Sequence, residues 1–232
     1  NLFFFLFLSA SALYGQCQFV FVSTTGTPTA AGTQQDPVDI NTAFLTTPDN
    51  GYIRLATGTY NVDNSKITII PRGCDPKVFN MGSPNSEWLE DWHNEFPQTK
   101  NKIILTLPTR ISQWKGVDSF IELIASLKDM NFHALVVGPT SRKKQRYLSE
   151  LKDKVDEKGI NNFITFTGSR NDISNIYKIS DIVYNLSIKP EPFGRTTIEA
   201  LSSGAKVIGW NHGGTKEILE ELFPHGLVDL ND

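Results

Sequence analysis

The sequence predicts an α/β fold for residues 66–232, a parallel sheet with helices on both faces, preceded by a small β-rich segment. Two observations support this prediction. After residue 66, short apolar runs alternate with amphipathic helical stretches, which is the pattern of a parallel sheet. Before it, residues 18–65 are rich in Thr, Gly and Asp and contain only short β-prone runs. The two parts of the chain therefore differ in architecture.

The elements of the second part alternate in the order of a Rossmann-like domain. Ser83 is predicted to cap the first helix, with Pro84 as its first residue, where a missing N–H costs nothing. Gly159 is predicted to end a strongly charged helix. The predicted strands are residues 102–107, 132–137, 163–166, 182–185, 206–209 and 227–228. The predicted helices are residues 83–94, 117–128, 141–158, 170–179, 195–203 and 215–221.

Residues 1–16 form an apolar run that ends in small residues. This pattern is typical of a secretory signal peptide, and the run is shorter than the roughly 20 residues needed to span a bilayer. A buried strand or helix is the alternative. The sequence begins without Met, so the chain is expected to be a fragment.

Residues 17–65 contain a series of motifs around short β-prone runs: Ala31-Gly32-Thr33, Asp36-Pro37, Ala43-Phe44 and the run from Gly51 to Tyr60. Through these motifs the segment resembles the N-terminal cap and first coil of secreted right-handed parallel β-helix proteins. Because such proteins bury their core by stacking many coils, one coil is not expected to be stable alone. The segment is predicted to form strands at residues 19–22, 52–55 and 60–62 and a short helix within residues 36–45.

The chain is close to electrically neutral, since 25 acidic and 22 basic side chains leave a formal charge of −3. Such a balance offers no general attraction for nucleic acid, so no nucleic acid is expected as a partner, and any anion site must be local. The chain has two cysteines, Cys17 and Cys74, and no Cys/His spacing resembles a metal site. The sequence therefore predicts neither a disulfide nor a bound metal.

The segment from Glu191 to Thr215 is the most informative part of the sequence. It places two carboxylates, Glu191 and Glu199, around the expected start of a helix near Gly194 or Arg195. Unpaired N–H groups at a helix start suit a ligand that combines an anion with hydroxyl groups, as a phosphorylated sugar does. The alternative is that the two acids only stabilise the helix dipole, an effect of about 0.3–1 kcal/mol.

Five motifs follow one another along residues 66–232: Ile69 to Phe79, Arg110 with Trp114-Lys115-Gly116, Val136-Val137-Gly138, Phe166-Thr167-Gly168, and Glu191 to Glu199. In this order they resemble the C-terminal, donor-binding domain of retaining glycosyltransferases of the GT-B architecture, family 4 in particular. The resemblance implies a nucleotide-sugar as the donor substrate, with no cofactor. It also implies a further, N-terminal domain that binds a glycan or lipid-linked acceptor.

The resemblance implies roles for individual residues. Arg110 and Lys115 follow a predicted strand and would contact the donor diphosphate, although an isolated pair of this kind is usually solvated. Glu191 would lie near the transferred sugar, and Glu199 would bind the ribose hydroxyls. The implied catalytic residues are Glu191, Arg110 and Lys115, and the implied donor-binding residues are Arg110, Lys115, Gly138, Gly168, Glu191, Phe193, Gly194, Arg195, Thr196 and Glu199.

Two other features are weaker candidates. His133 lies within a predicted strand and is expected to be structural, whereas His212, beside two glycines, is a candidate for ligand contact. Basic residues 142–146 are expected to form a solvated face, with peripheral contact at a membrane surface as the alternative.

The resemblance implies sugar transfer with retention, in cell-envelope polysaccharide or glycolipid synthesis. Donor binding is expected to survive in part in this chain, whereas transfer to an acceptor by the chain alone is not expected. A related sugar epimerase or phosphorylase is another possibility, although no Lys is marked for the pyridoxal cofactor of a phosphorylase. The base, the sugar and the acceptor stay open.

The two parts of the chain imply different locations. A signal peptide directs secretion, whereas a nucleotide-sugar transferase uses donor in the cytoplasm or at the inner membrane. One hypothesis is an artificial join near residues 64–66, and a natural fusion is the alternative. If the N-terminal part defines the protein, the expected function is that of a secreted, non-enzymatic β-helix surface protein.

Overall fold

The computed structural model describes residues 19–48, 52–56, 60 and 73–230. The chain divides into two compact units, Asn1–Ile70 and Pro71–Asp232. The segment predicted as a signal peptide, Cys17 and the proposed join near residues 64–66 lie outside the described residues. Within the described part, no helix has both the length and the apolar character needed to cross a membrane.

The N-terminal unit contains two parallel strands, β1 (Phe19–Val22) and β2 (Tyr52–Leu55), with helix α1 (Ile40–Thr46) between them in the chain. Asp39 caps the helix, because its Oδ1 accepts from the N–H groups of Asn41 at 2.9 Å and Thr42 at 3.1 Å. The predicted strands at residues 19–22 and 52–55 are confirmed. The third predicted strand lies largely outside the described residues, and the β-helix resemblance stays a prediction. The small core comprises Val20, Val22, Val38, Ile40 and Ala43.

In the described part of the C-terminal unit, six strands form one parallel sheet. The strand order is β5-β4-β3-β6-β7-β8, which is the doubly wound order with its reversal between β3 and β6. Ligands of such sheets bind outside the carboxyl ends of the strands at this reversal. The strands are β3 (Ile103–Pro108), β4 (Phe132–Val137), β5 (Ile164–Gly168), β6 (Ile182–Asn185), β7 (Lys206–Trp210) and β8 (Leu227–Val228).

Helices cover both faces of the sheet, as predicted. Leu105 and Leu107 of β3 pack with α3 and α4 on one face, whereas Ile104 packs with α2 and α5 on the other. The central strands are therefore continuous apolar runs, because both of their faces are buried. The helices are α2 (Ser86–Glu95), α3 (Val117–Ser126), α4 (Gln145–Glu157), α5 (Ile173–Ile179), α6 (Arg195–Ser202) and α7 (Gly213–Leu222).

The predicted cap of the first of these helices is wrong. Asn85, not Ser83, caps α2, because its Oδ1 accepts from Glu87 N at 2.8 Å. Pro84 therefore precedes the helix instead of opening it. The prediction for Gly159 is confirmed: α4 ends at Glu157, and Gly159 follows in the left-handed conformation with φ of +65°.

Two other helices begin later than predicted. Residues Arg142–Lys144 form a 3₁₀ turn before α4. At α5, Arg170 and Asp172 precede the helix. Arg170 donates to the Asp172 carboxylate at 3.0 and 2.8 Å, and its Nη1 donates to both carboxylate oxygens of Glu95, at 2.8 and 2.9 Å. These ion pairs fix the loop that leads into α5.

His133 is a core residue, as predicted. It is buried, and its Nε2 lies 2.8 Å from Thr165 Oγ1 on the neighbouring strand. Burial lowers the pKa of His133 to about 4, so the ring is neutral near pH 7.

Candidate functional site

A cavity of about 560 Å³ lies at the carboxyl edge of the sheet, at the reversal between β3 and β6. The ends of β3 and β4, the start of α5 and the start of α6 contribute to its wall. Five of the predicted site residues line it: Arg110, Gly138, Arg195, Thr196 and Glu199. The other five are not part of this wall: Lys115, Gly168, Glu191, Phe193 and Gly194.

Glu199 is the buried acid of this cavity. Its Oε1 accepts from Nε of Arg195 at 3.1 Å and from Nη2 at 3.0 Å, and its Oε2 accepts from the hydroxyl of Tyr177 at 3.4 Å. The carboxylate is only 8% exposed, whereas the Arg195 side chain is 68% exposed. Burial, reinforced by the neighbouring Glu199, raises the pKa of Tyr177 well above its usual range, so Tyr177 stays a donor.

The start of α6 presents backbone donors. Gly194 is the N-cap residue, with φ of +80°, and no side chain from the described part of the chain caps the helix. Within the described residues, the N–H groups of Arg195 and Thr196 have no acceptor. A side chain at Gly194 would place a Cβ 3.2 Å from the N–H nitrogen of Thr215, at the start of α7. Unpaired N–H groups and the helix dipole make this end a site for an anion.

Lys115 and Glu191 form a second cluster. Lys115 Nζ is paired with Glu191 Oε1, and the side chains are only 15% and 14% exposed. The buried Ser187 Oγ also bonds to Glu191 Oε1 and lies 3.4 Å from Lys115 Nζ. Lys115 Nζ is 4.3 Å from the centroid of the Trp114 ring. The carboxylate is therefore fixed by two side chains that come from different loops.

Backbone contacts bring these loops together. Gly116 has φ of +75°, and a Cβ there would lie 2.0 Å from the carbonyl oxygen of Leu186. Ile188 N donates to Trp114 O at 2.8 Å, which ties the loop after β6 to the loop after β3. Only glycine allows an approach this close.

The start of α7 supports the same loop. His212 Nε2 donates to the carbonyl oxygen of Ser187 at 2.8 Å, and Gly214 N donates to the carbonyl oxygen of Glu191 at 2.7 Å. His212 therefore bonds to the protein backbone and supports the loop that carries Glu191.

The glycines after β4 and β5 differ. Gly138 lines the cavity, and a Cβ there would lie 2.1 Å from the carbonyl oxygen of Thr109. Gly168 does not line the cavity, and its carbonyl oxygen accepts from Gly138 N at 2.9 Å and from Thr167 Oγ1 at 3.2 Å. The following Ser169 reaches the cavity wall.

The predicted site residues thus form two neighbouring clusters at one edge of the sheet. Arg110 and Glu199 share the cavity, and Lys115 and Glu191 form the ion pair. Sequence reasoning missed Tyr177 and Ser187. Ser187 follows β6 by two residues, so the rule for carboxyl ends of strands could have found it, whereas Tyr177 has the spacing of an ordinary core residue. Among the described residues, no group of three His, Cys, Asp or Glu side chains could hold a metal ion.

Comparison with known proteins identifies the family. The family described as Glycosyl transferases group 1 matches residues 89–229. Mannosylfructose-phosphate synthase of Agrobacterium fabrum is 30% identical over 162 residues, which are 67% of this chain and 35% of that protein. Lipopolysaccharide glucosyltransferase WaaG of Escherichia coli is 25% identical over 150 residues, 64% of this chain and 38% of WaaG. The chain thus spans little more than a third of the length of these relatives.

Solved structures agree. A glycosyltransferase from Rickettsia africae has 31% identity and a TM-score of 0.68, covering 74% of this chain and 45% of its own. HepE of Anabaena in complex with UDP-glucose has 25% identity and a TM-score of 0.60, covering 76% of this chain and 43% of its own. Since the family match covers more than half of the sequence, this chain belongs to the group 1 glycosyl transferases. Its C-terminal unit, a parallel sheet with helices on both faces, has the Rossmann-like fold of GT-B enzymes.

Proposed function

We propose that residues 66–232 form the donor-binding domain of a retaining glycosyltransferase and bind a nucleotide-sugar in the cavity at the sheet reversal. One observation carries the proposal: a buried carboxylate, Glu199, and a cation, Arg110, line the same cavity beside the open N-terminus of α6. A nucleotide-sugar presents a vicinal diol and a diphosphate, which match these groups. The UDP-glucose complex of HepE supports this class of ligand.

In this arrangement Glu199 binds the ribose hydroxyls. A carboxylate has about four acceptor positions, and Arg195 and Tyr177 occupy three of them. The diol therefore takes the open position on Oε2 and, for a second bond, displaces the exposed guanidinium of Arg195. Arg110 and the N–H groups at the start of α6 face the diphosphate.

Lys115 and Glu191 act at the sugar end. As the bond between sugar and diphosphate breaks, the leaving diphosphate gains negative charge and the sugar gains positive charge. Lys115 stabilises the first charge, and Glu191 positions the sugar and stabilises the second, without a covalent role. Ser187 holds the Glu191 carboxylate in place through its hydroxyl group.

The complete enzyme acts on a glycan or lipid-linked acceptor in cell-envelope polysaccharide or glycolipid synthesis, in the cytoplasm or at the inner membrane. An N-terminal domain supplies most of the acceptor site, and the basic cluster at residues 142–146 forms a solvated face. The share of the relatives that this chain spans, 35% and 38%, supports binding of the donor without transfer by this chain alone.

Isothermal titration of the full chain with UDP-, GDP- and ADP-glucose tests the proposal. We expect one of the three to bind, and Glu199→Gln to weaken it by about tenfold, because the diol loses a charged acceptor. Glu217→Gln, an exposed acid on α7, is the matched control and should leave the affinity unchanged. If none of the three binds, the proposed donor site is wrong.

A further inference from the structure

A second cavity, of about 400 Å³, lies next to the donor cavity and has no role in the proposed donor site. It is formed by the loop between β3 and α3 and the loop between β4 and α4. Its polar wall comprises Arg110, Ser112, Thr140, Ser141 and Lys144, with Trp114 beside them. Arg110 and Pro139 line both cavities, so the two cavities are neighbours.

The charge of this second cavity is one-sided. None of the described residues in its wall carries a carboxylate. Lys144 Nζ donates to the neutral Gln113 Oε1 at 3.4 Å, and among the described residues neither Lys144 nor Arg110 takes part in an ion pair. Lys115 differs from both, because Glu191 neutralises it. Two cations without a counter-charge, within reach of three hydroxyl groups, form a site for an anion.

Backbone hydrogen bonds hold the wall in this shape. Ile111 N donates to Pro139 O at 3.0 Å and joins the two loops, while Lys144 N donates to Ser141 O at 2.9 Å and closes the 3₁₀ turn. The Trp114 ring adds an apolar surface to this polar wall. A ligand that matches the cavity has an anionic group and a compact carbon skeleton with hydroxyl groups.

We propose that the second cavity binds the phosphate group of a phosphorylated sugar. Lys144 and Arg110 contact the phosphate oxygens, and Trp114 packs against the sugar carbons, as aromatic rings do against such surfaces. A guanidinium group has five N–H donors, so Arg110 can contact this phosphate and the donor diphosphate together. The inference rests on the proposed donor site in that the phosphosugar lies beside the nucleotide-sugar, as an acceptor or product would.

Titration of the full chain with glucose 6-phosphate, and separately with UDP, tests the proposal. We expect glucose 6-phosphate to bind and glucose not to bind. Lys144→Gln should lower the affinity for glucose 6-phosphate by about tenfold, because one charge-assisted contact is lost. It should change the affinity for UDP by less than about twofold. Lys143→Gln is the matched control: Lys143 is exposed on the same 3₁₀ turn and lies outside the wall. It should alter neither affinity. Arg110→Gln should weaken both ligands.

Four outcomes would overturn the proposal: no binding of glucose 6-phosphate, equal effects of Lys144→Gln and Lys143→Gln, binding of glucose as strong as that of its phosphate, or an equal loss of UDP affinity in Lys144→Gln. If the wild-type chain binds glucose 6-phosphate but not UDP, the donor site is wrong and the proposal for the second cavity still holds. Binding to vesicles that contain phosphatidic acid tests whether the ligand is a lipid phosphate instead of a phosphosugar. If Lys143 and Lys144 contribute equally to vesicle binding and glucose 6-phosphate does not compete, the phosphate belongs to a membrane surface, and the phosphosugar site is wrong.

Discussion

Glu191 and Glu199 are eight positions apart in one motif and are each paired with a cation, yet their surroundings differ. Glu191 lies in a loop and is bound by Lys115, which comes from a loop 76 positions earlier in the chain. Glu199 lies in a helix and is bound by Arg195 from the preceding turn. In the first pair both partners are mostly buried, and in the second the cation is 68% exposed.

This difference separates a pair that the fold must assemble from one that the helix supplies by itself. Removing a buried cation leaves the buried acid without a counter-charge, whereas water can replace an exposed guanidinium. We therefore expect the two cations to differ strongly in their effects on stability and binding.

The largest effect is expected for Lys115→Met. It leaves the Glu191 carboxylate without its cation and should lower the free energy of unfolding by roughly 3 kcal/mol. In a complete enzyme, Lys115→Ala should reduce turnover by orders of magnitude, because the developing charge on the diphosphate loses its stabilising cation. Urea unfolding measures the first effect, with Lys189→Met, an exposed lysine of the loop that contains Glu191, as the control.

A double variant sharpens this prediction. Lys115→Met combined with Glu191→Gln removes both charges, so it should be more stable than Lys115→Met alone. If the double variant is no more stable, or if Lys115→Ala turns over at the wild-type rate, the role given to the buried pair is incorrect.

Gly116→Ala should destabilise the fold nearly as much as Lys115→Met, by about 3 kcal/mol. Its Cβ would meet the Leu186 carbonyl at 2.0 Å and force apart the two loops that assemble the Glu191 pair. Gly159→Ala is the control, since Gly159 also has a positive φ but nothing lies within 4 Å of its Cβ, so the expected cost is about 1 kcal/mol. Thermal unfolding compares the two variants, and equal costs would show that the close approach contributes nothing.

Tyr177→Phe tests the hydrogen bond from the buried Tyr177 hydroxyl to Glu199. The change removes the one hydroxyl that donates to Glu199 Oε2 among the described residues and should cost about 1 kcal/mol of stability. Tyr184→Phe is matched to it: Tyr184 is a buried tyrosine whose hydroxyl has no side-chain partner in the described residues. A smaller cost for Tyr177→Phe than for Tyr184→Phe would contradict the assigned hydrogen bond.

The smallest effect is expected for Arg195→Ala. Its guanidinium is exposed, so the unfolding free energy should change by less than about 1 kcal/mol. Donor affinity should change less than about threefold, because the freed Oε1 of Glu199 becomes available to the ribose. Calorimetry on both variants measures the unfolding free energy. A loss as large as that of Lys115→Met would contradict the expected difference between the two pairs.

The strands and helices could be predicted because their patterns are local. The runs around Leu105 and Leu135 are apolar throughout, which indicates strands buried on both faces. The start of α2 could not be predicted as well, because Ser83 and Asn85 are both good caps and the position of Pro84 does not choose between them. Side-chain bonds made only in the folded chain decide such a boundary, as at Arg170 before α5.

Within the candidate site, the sequence alone determined the two acids, the spacing that places Arg195 one turn before Glu199, and the glycines that permit close backbone approach. Tertiary structure alone decided that Lys115 meets Glu191, that Tyr177 reaches Glu199 and that Arg110 lines two cavities. The physical reason is distance along the chain. A helix repeats every 3.6 residues and sets contacts within a turn, whereas the packing of helices on the sheet sets contacts between separate loops.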